Sequence, residues 1–115
     1  MSAKTRSSVA VQRRAYASVF SALGDDRRLA LIARLASGLP CSISELTRGS
    51  RVTRQAISKH LRVLETAGIV RSVRHGREQR FEFRPHPIDE AKRYLDFVSA
   101  QWDEALGQLK SFVEK

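Results

Sequence analysis

The most regular alternation of apolar and polar positions lies in the middle of this chain. Ile57, Leu61 and Leu64 recur at spacings of four and three, the spacing of one buried helix face. On the opposite arc of the same helix lie the polar side chains of Gln55, Ser58, Lys59 and Arg62. The pattern predicts an amphipathic helix that turns hydrogen-bond donors outward and hydrocarbon inward.

The residues at both ends of this helix are of the types that begin and end helices. Thr53 stands at an N-cap position, and Ala67 with Gly68 stops the pattern, so the helix is expected over 53–67. The strand-like run 69–73 follows at once. A helix followed directly by a strand in this way is the first half of a winged helix.

Two strand-like runs, 69–74 and 77–84, are separated by His75 and Gly76. Side chains alternate between two faces along the second run, as expected for a half-buried strand. The sequence therefore predicts a β-hairpin over 69–84 with a basic tip, which forms the wing.

Three further helices are expected upstream. The first covers 9–23, the second follows a cap at Asp25 or Asp26, and the third covers 42–47 and begins with a Ser-x-x-Glu capping box. The apolar stripe of the first helix consists of Val9, Tyr16, Val19, Phe20 and Leu23. That of the second consists of Leu29, Ile32, Ala33, Leu35 and Ala36. The third helix and the helix from Thr53 together form a helix-turn-helix.

A long helix is expected over 88–113. Its apolar residues keep a seven-residue repeat for three periods, at Ala91, Leu95, Val98, Trp102, Ala105, Leu109 and Phe112. The apolar surface is widened further by Tyr94, Phe97, Leu106 and Val113. One hypothesis is that a two-fold related copy covers this surface together with the first helix. The alternative is packing within one chain.

The residues assigned to a dimer interface are Val19, Phe20, Leu95, Val98, Trp102, Ala105, Leu109 and Phe112. The expected fold is mainly α with a small β-hairpin, in the order α-α-α-α-β-β-α, and its terminal helices dimerise. A length of 115 residues suits one domain, over 9–115, preceded by a flexible basic tail over 1–8.

The positive charge of the chain is concentrated in its middle segment. The net charge is +9, and residues 48–84 hold ten Lys and Arg against three Asp and Glu, a net +7. Such a concentration favours polyanions through counterion release. A solvated basic face is the alternative, but the coincidence with a helix-turn-helix favours a phosphate backbone.

Catalytic chemistry has little support. The adjacent acidic pairs, such as Asp25 with Asp26, point about 100 degrees apart on a helix and suit helix starts rather than acid-base dyads. Cys41 and His60 are expected on different elements without a third orienting group. No cofactor fingerprint is present, so neither an enzyme nor a cofactor is expected.

The single cysteine, Cys41, excludes an intramolecular disulfide and suits a reducing compartment. It is interpreted as a small buried residue, with a redox trigger as the alternative. No apolar run approaches the roughly 20 residues that cross a bilayer, so a cytoplasmic protein without a membrane partner is expected.

Several segments resemble one known family. They are FSALGDDRRLALI at 20–32, ISEL at 43–46, SKHLRVLE at 58–65, AGIV at 67–70 and GR at 76–77. Their order and intervals resemble the bacterial ArsR (ArsR/SmtB) winged-helix repressors over about residues 15–112. The resemblance implies a homodimer that binds a palindromic operator in double-stranded DNA, represses transcription and releases DNA on a signal.

The resemblance does not extend to metal sensing. Metal-sensing members carry Cys-x-Cys near the helix before the recognition helix, or Asp and His ligands on the last helix. Here Cys41 is followed by Ser42 and Ile43, and no histidine lies beyond His86. No metal site is therefore expected, and the effector is undefined.

The amino-terminal part of the second helix of a helix-turn-helix enters the major groove. The residues expected to contact DNA are Arg54, Gln55, Ser58, Lys59, Arg62, Arg74, His75 and Arg77. Gln55 and Ser58 are assigned to base edges and Arg62 to phosphate. His60 lies at the edge of the buried stripe and is interpreted as a packing histidine with a hydrogen bond.

The competing hypothesis is a winged helix that binds another protein or RNA. Single-stranded RNA is held by exposed aromatic side chains on a sheet. Phe81 and Phe83 share the face that is expected to pack inward, which favours duplex DNA.

Overall fold

The structure, a computed structural model, describes the backbone of residues 2–114 and the side chains of residues 10–114. Its elements are α1 (Ser2–Leu23), α2 (Asp26–Ala36), β1 (Cys41–Ser42), α3 (Ile43–Thr47), α4 (Arg54–Thr66), β2 (Val70–His75), β3 (Glu78–Phe83) and α5 (His86–Glu114). The strands form one antiparallel sheet in the order β1-β3-β2. The predicted winged helix-turn-helix is confirmed, with the short strand β1 added to it.

The first helix begins earlier than the apolar pattern predicted. α1 starts at Ser2, so the backbone of residues 2–8 is helical where a flexible tail was expected. Residues 2–8 contain neither Gly nor Pro, the residue types that end helices. A helix that forms from residue 9 onward can therefore extend back through them. The side chain of Val9, which was assigned to the apolar stripe, lies outside the described residues.

Helix starts follow the predicted caps. The Asp25 carboxylate accepts from two backbone N–H groups of α2, and the Thr53 hydroxyl accepts from the backbone of α4 at 3.1 Å. Ser42 and Glu45 form a complete capping box, in which Ser42 Oγ accepts from the Glu45 N–H at 3.1 Å. These side chains satisfy donors that a helix cannot pair internally, and so they set where α2, α3 and α4 begin.

Acid is expected to destabilise the fold through two of these caps. The backbone N–H of Arg28 lowers the pKa of Asp25, and hydrogen bonds from Ser42 lower the pKa of Glu45. Because the folded-state pKa values are depressed, the contribution is complete above the unfolded values and is lost as pH falls through the folded ones. Urea midpoints should therefore fall below about pH 4.

A variant that combines Asp25→Asn with Glu45→Gln keeps both capping groups as acceptors that do not titrate. Its urea midpoint should fall less than that of the wild type between about pH 5 and pH 3. Parallel decreases in the two proteins would show that these carboxylates do not carry the acid sensitivity.

The core lies where α1, α2 and α4 meet the sheet. Its largest fully buried side chains are Leu61, Leu64, Ile69 and Val70. In the central strand β3, Phe81 is 5% exposed, and Phe83 packs partly buried against the same core. The predicted inward packing of the two phenylalanines is therefore confirmed. Through them the inner face of the wing packs against the hydrophobic core.

The two ends of α5 differ in their surroundings. Near its start Ala91 is buried, and the Tyr94 ring stacks on Tyr16 of α1 with centroids 4.7 Å apart. Every residue from 99 to 114 is exposed. The second half of α5 therefore carries its apolar stripe without a partner in the same protomer.

No helix within residues 2–114 has both the length and the apolar character needed to span a bilayer.

Candidate nucleic-acid interface

The helix α4 presents one face to the core and the other to solvent, as the sequence predicted. Its buried residues are Ile57, Leu61 and Leu64. An open crevice of about 490 Å³ on the outer face is lined by Gln55, Ala56, Ser58, Lys59 and Arg62. Four predicted DNA contacts thus share one concave surface. Ser58 is half-buried at its edge, whereas the other three are exposed.

Arg54 has a different environment from the other predicted contacts. Its Nη1 donates to the Ser44 hydroxyl of α3 at 3.0 Å. Arg54 therefore links the two helices of the helix-turn-helix, while its exposed guanidinium keeps further donors. The intervening turn contains Gly49 with a φ of 74°, a left-handed conformation that glycine adopts without strain.

The wing tip presents unpaired positive charge. Arg74, His75 and Arg77 are exposed around Gly76 at the turn between β2 and β3. Among the described residues, neither Arg74 nor Arg77 belongs to an ion pair. These cations are available for phosphate.

Other wing arginines are engaged within the sheet. Arg71 pairs with Glu82 on the neighbouring strand, and Arg80 pairs with Glu78 at 2.7 Å. The hydrogen bond to Glu78 raises the pKa of the Arg80 guanidinium. Arg71 and Arg80 are therefore paired along the strands of the wing, whereas Arg74 and Arg77 are unpaired at its tip.

Sequence reasoning missed Arg28, which connects three helices. Its Nε donates to the Ala22 carbonyl at 2.7 Å and its Nη2 donates to the Ser21 carbonyl at 3.1 Å, both in the last turn of α1. Its Nη1 lies 3.4 Å from Nδ1 of His60 in α4. His60 is half-buried with a hydrogen-bonding neighbour, as predicted. No local pattern distinguishes Arg28 from the arginine beside it.

The residues assigned to a dimer interface fall into two groups. Val19 is 4% exposed and belongs to the core of the protomer, while Phe20 and Val98 are half-buried. The exposed group consists of Leu95, Trp102, Ala105, Leu109 and Phe112. The large apolar side chains Phe97, Leu106 and Val113 are exposed as well. Thus α5 carries most of the unpartnered apolar surface.

Cys41 lies in β1, opposite Phe81, and is partly buried. Its Sγ is 3.4 Å from the Leu39 carbonyl. In the part of the chain that the structure describes, no three His, Cys, Asp or Glu side chains are grouped so as to hold a metal ion.

Comparison with known proteins agrees with this geometry. Residues 23–73 match a helix-turn-helix domain family. The chain is 38% identical over 77 residues to the uncharacterised HTH-type transcriptional regulator YuzN of Bacillus subtilis, and this match covers 62% of the chain and 84% of that protein. An ArsR-like transcriptional regulator from Rhodococcus has 36% identity and a TM-score of 0.80, and the match covers 88% of this chain and 94% of that one.

A further similar structure is described as a homodimeric winged helix-turn-helix DNA-binding domain of a possible ArsR-family regulator from Mycobacterium bovis. It has 27% identity and a TM-score of 0.62, and the match covers 84% of this chain and 86% of that fragment.

The fold, the basic outer face of α4 and the wing define a winged helix-turn-helix transcriptional regulator. At these levels of identity and coverage, the chain belongs to the ArsR family of such regulators.

Proposed function

We propose that this protein is a homodimeric repressor that binds a palindromic operator in double-stranded DNA. The observation that carries the proposal is the outer face of α4. Gln55, Lys59 and Arg62 are exposed on this face, and the opposite face of the helix is buried in the core. Polar donors on the outer face of a recognition helix contact base edges in the major groove.

Within this face we assign Gln55 and Ser58 to bases and Arg62 to the backbone. A glutamine amide pairs bidentately with adenine, and a hydroxyl serves as donor or acceptor. Lys59 has the reach to address guanine. Arg54 approaches DNA from the helix start while it remains bonded to Ser44 of α3.

The wing supplies contacts that do not depend on sequence. Arg74, His75 and Arg77 at its tip are assigned to phosphates beside the groove, because their side chains are exposed and a phosphate backbone follows the edges of the groove. The wing packs next to α4, since β2 follows α4 after a three-residue turn and Val70 at its start is buried. Both therefore engage the same half-site.

A dimer is supported by the exposed apolar side chains along α5. Leu95, Trp102 and Leu109 lie on one seam and are 51%, 68% and 59% exposed. Contiguous apolar surface of this kind marks an interaction site, and a two-fold partner offers the same surface in return. The homodimeric relative from Mycobacterium bovis has the same fold.

A two-fold symmetric dimer requires a two-fold symmetric site. Its recognition helices should meet half-sites centred about 34–36 Å apart, one helical turn of DNA. Occupation of such a site within a promoter excludes polymerase, and this is how we propose the protein represses. Selection from random duplex DNA at physiological salt should yield an inverted repeat with this spacing. Recovery of no motif, or of one unrepeated half-site, would contradict the proposal.

Replacement of Gln55 by alanine should lower specificity, whereas replacement of Arg77 should lower affinity without changing specificity. Gln55→Ala should relax the preference at particular base pairs by about 1–3 kcal/mol while binding to random DNA changes little. Arg77→Ala should weaken binding to every sequence together and reduce the salt dependence, because the Arg77 guanidinium is assigned to phosphate.

Each variant serves as the control for the other, and both are measured on the selected operator and on a scrambled duplex. If Gln55→Ala lowers the affinity for the two duplexes equally, Gln55 does not contact bases.

A further inference from the structure

A second concave surface lies beside the recognition face. It is a cleft of about 430 Å³ between α1 and α4, and its lining residues are Ser18, Ser21, Lys59, Arg62, Val63 and Thr66. Two of these residues are basic and none is acidic. Lys59 and Arg62 also line the crevice on the outer face of α4, so the two surfaces are continuous. We call this surface the α1–α4 cleft.

The cleft is preformed by hydrogen bonds at the end of α1. Arg28 donates to the carbonyls of Ser21 and Ala22, and the same guanidinium reaches His60 of α4. The Arg28 side chain is only 17% exposed. One partly buried guanidinium thus holds the last turn of α1 at a fixed position relative to the recognition helix, and little ordering is needed when a ligand arrives.

Another cation belongs to the same side of α1. Arg14 precedes Ser18 by four residues and Ser21 by seven, so the three side chains share one helix face. Arg14 is exposed, and among the described residues it belongs to no ion pair. This face of α1 therefore extends the positive charge of Lys59 and Arg62 along the helix.

We propose that the α1–α4 cleft binds the phosphate backbone of DNA beside the major groove, with Arg14, Ser18 and Ser21 as contacts that add to those of α4 and the wing. Guanidinium, ammonium and hydroxyl groups are the donors that phosphodiesters accept from. The inference rests on the proposed function and deepens it, because it assigns to α1 a direct part in DNA binding.

The cleft places α1 next to the recognition helix. The helix α1 packs on α4 and, through Tyr16 and Tyr94, on α5. Ser18 and Ser21 lie on the face of α1 that is turned away from Tyr16, and this face borders Lys59 and Arg62 of α4. A phosphate held in the cleft would therefore lie beside the part of the backbone that Arg62 contacts.

The test compares Arg14→Ala with Arg13→Ala. The two changes remove the same charge from adjacent positions of one helix, but Arg13 is turned by about 100 degrees, away from the cleft. Arg14→Ala should weaken binding to operator and to scrambled duplex alike, by on the order of tenfold at physiological salt. The slope of log K against log salt should become shallower by about 0.9 for each phosphate that the protein no longer neutralises. Arg13→Ala should change neither, and sedimentation should show equal assembly of both variants.

A second pair isolates charge inside the cleft. Ser18→Asp and Ser18→Asn are nearly the same size, so the difference between their DNA affinities reports the effect of the added charge, and a much larger decrease is expected for the aspartate variant. Equal affinities for the two variants would overturn the inference. Free phosphate is the other source of this ligand chemistry, and titration calorimetry of the wild type with inorganic phosphate should show no saturable binding that Arg14→Ala removes. Such binding, together with an unchanged DNA affinity of Arg14→Ala, would make the cleft a site for free phosphate and would overturn the inference.

These outcomes are distinct from failure of the proposed function. If Gln55→Ala alters base preference while Arg14→Ala matches the wild type, the operator-binding proposal stands and the α1 contact is wrong. If the wild type shows no preference for any duplex, both are wrong.

Discussion

Replacement of Trp102 by glutamate is expected to turn the protein into a monomer and to weaken operator binding by about 100-fold or more. Trp102 is 68% exposed on the apolar seam of α5. Burial of a carboxylate against a second copy of that seam is strongly unfavourable. A monomer retains one half-site only, and two linked half-sites gain about 10²–10⁴ in avidity over one.

Sedimentation velocity and operator titration would measure the two effects together. The matched control is Ser111→Glu, which adds the same charge on the polar side of α5, about 160 degrees around the helix from Leu109, and should leave both assembly and affinity unchanged. A Trp102→Glu protein that sediments as a dimer and binds the operator normally would show that α5 does not form the interface.

Replacement of Leu64 by alanine is expected to lower the free energy of unfolding by about 2–5 kcal/mol, the range for a large buried side chain truncated in a core. Leu64 is 0% exposed, and it lies on the inner face of the helix whose outer face carries Gln55. Urea unfolding at fixed protein concentration would measure the decrease, since dimerisation contributes to apparent stability.

Val63→Ala is the control for this prediction. Val63 is adjacent but 39% exposed, so its truncation should lower the free energy of unfolding by less than about 1 kcal/mol. Below its own transition, Leu64→Ala should still discriminate operator from scrambled duplex, because its base-contacting residues are untouched. Similar decreases for both truncations would mean that the inner face of α4 is not the central part of the core.

The recognition helix could be predicted almost entirely from the sequence. Its cap at Thr53 and its termination before β2 depend on interactions within about four residues, and the residues on its apolar face follow helical spacing. The capping box at Ser42 and the left-handed turn at Gly76 are of the same kind. Because local hydrogen bonds and backbone sterics decide these features, a short stretch of sequence contains the information.

Other features of the candidate interface could not be predicted in this way. The bond from Arg54 to Ser44 joins residues ten positions apart, and Arg28 reaches His60 across 32 positions. Val19 lies on the apolar stripe of α1 and was assigned to the dimer interface, but in the structure this part of the stripe faces the core of the same protomer. Spacing shows that residues share a face of a helix, but not which neighbour covers that face.

Amino-acid order alone predicts the helix-turn-helix, the wing, the concentration of positive charge on them and the apolar seam along α5. Long-range packing was needed to bring the two residues of β1 into the sheet, since so short a strand has no periodicity of its own and exists only because β3 pairs with it. The same packing also decided that Arg28 fixes α1 beside α4 and so creates the α1–α4 cleft. Caps and periodicity act through neighbours along the chain, whereas these interactions exist only after the core has brought distant helices together.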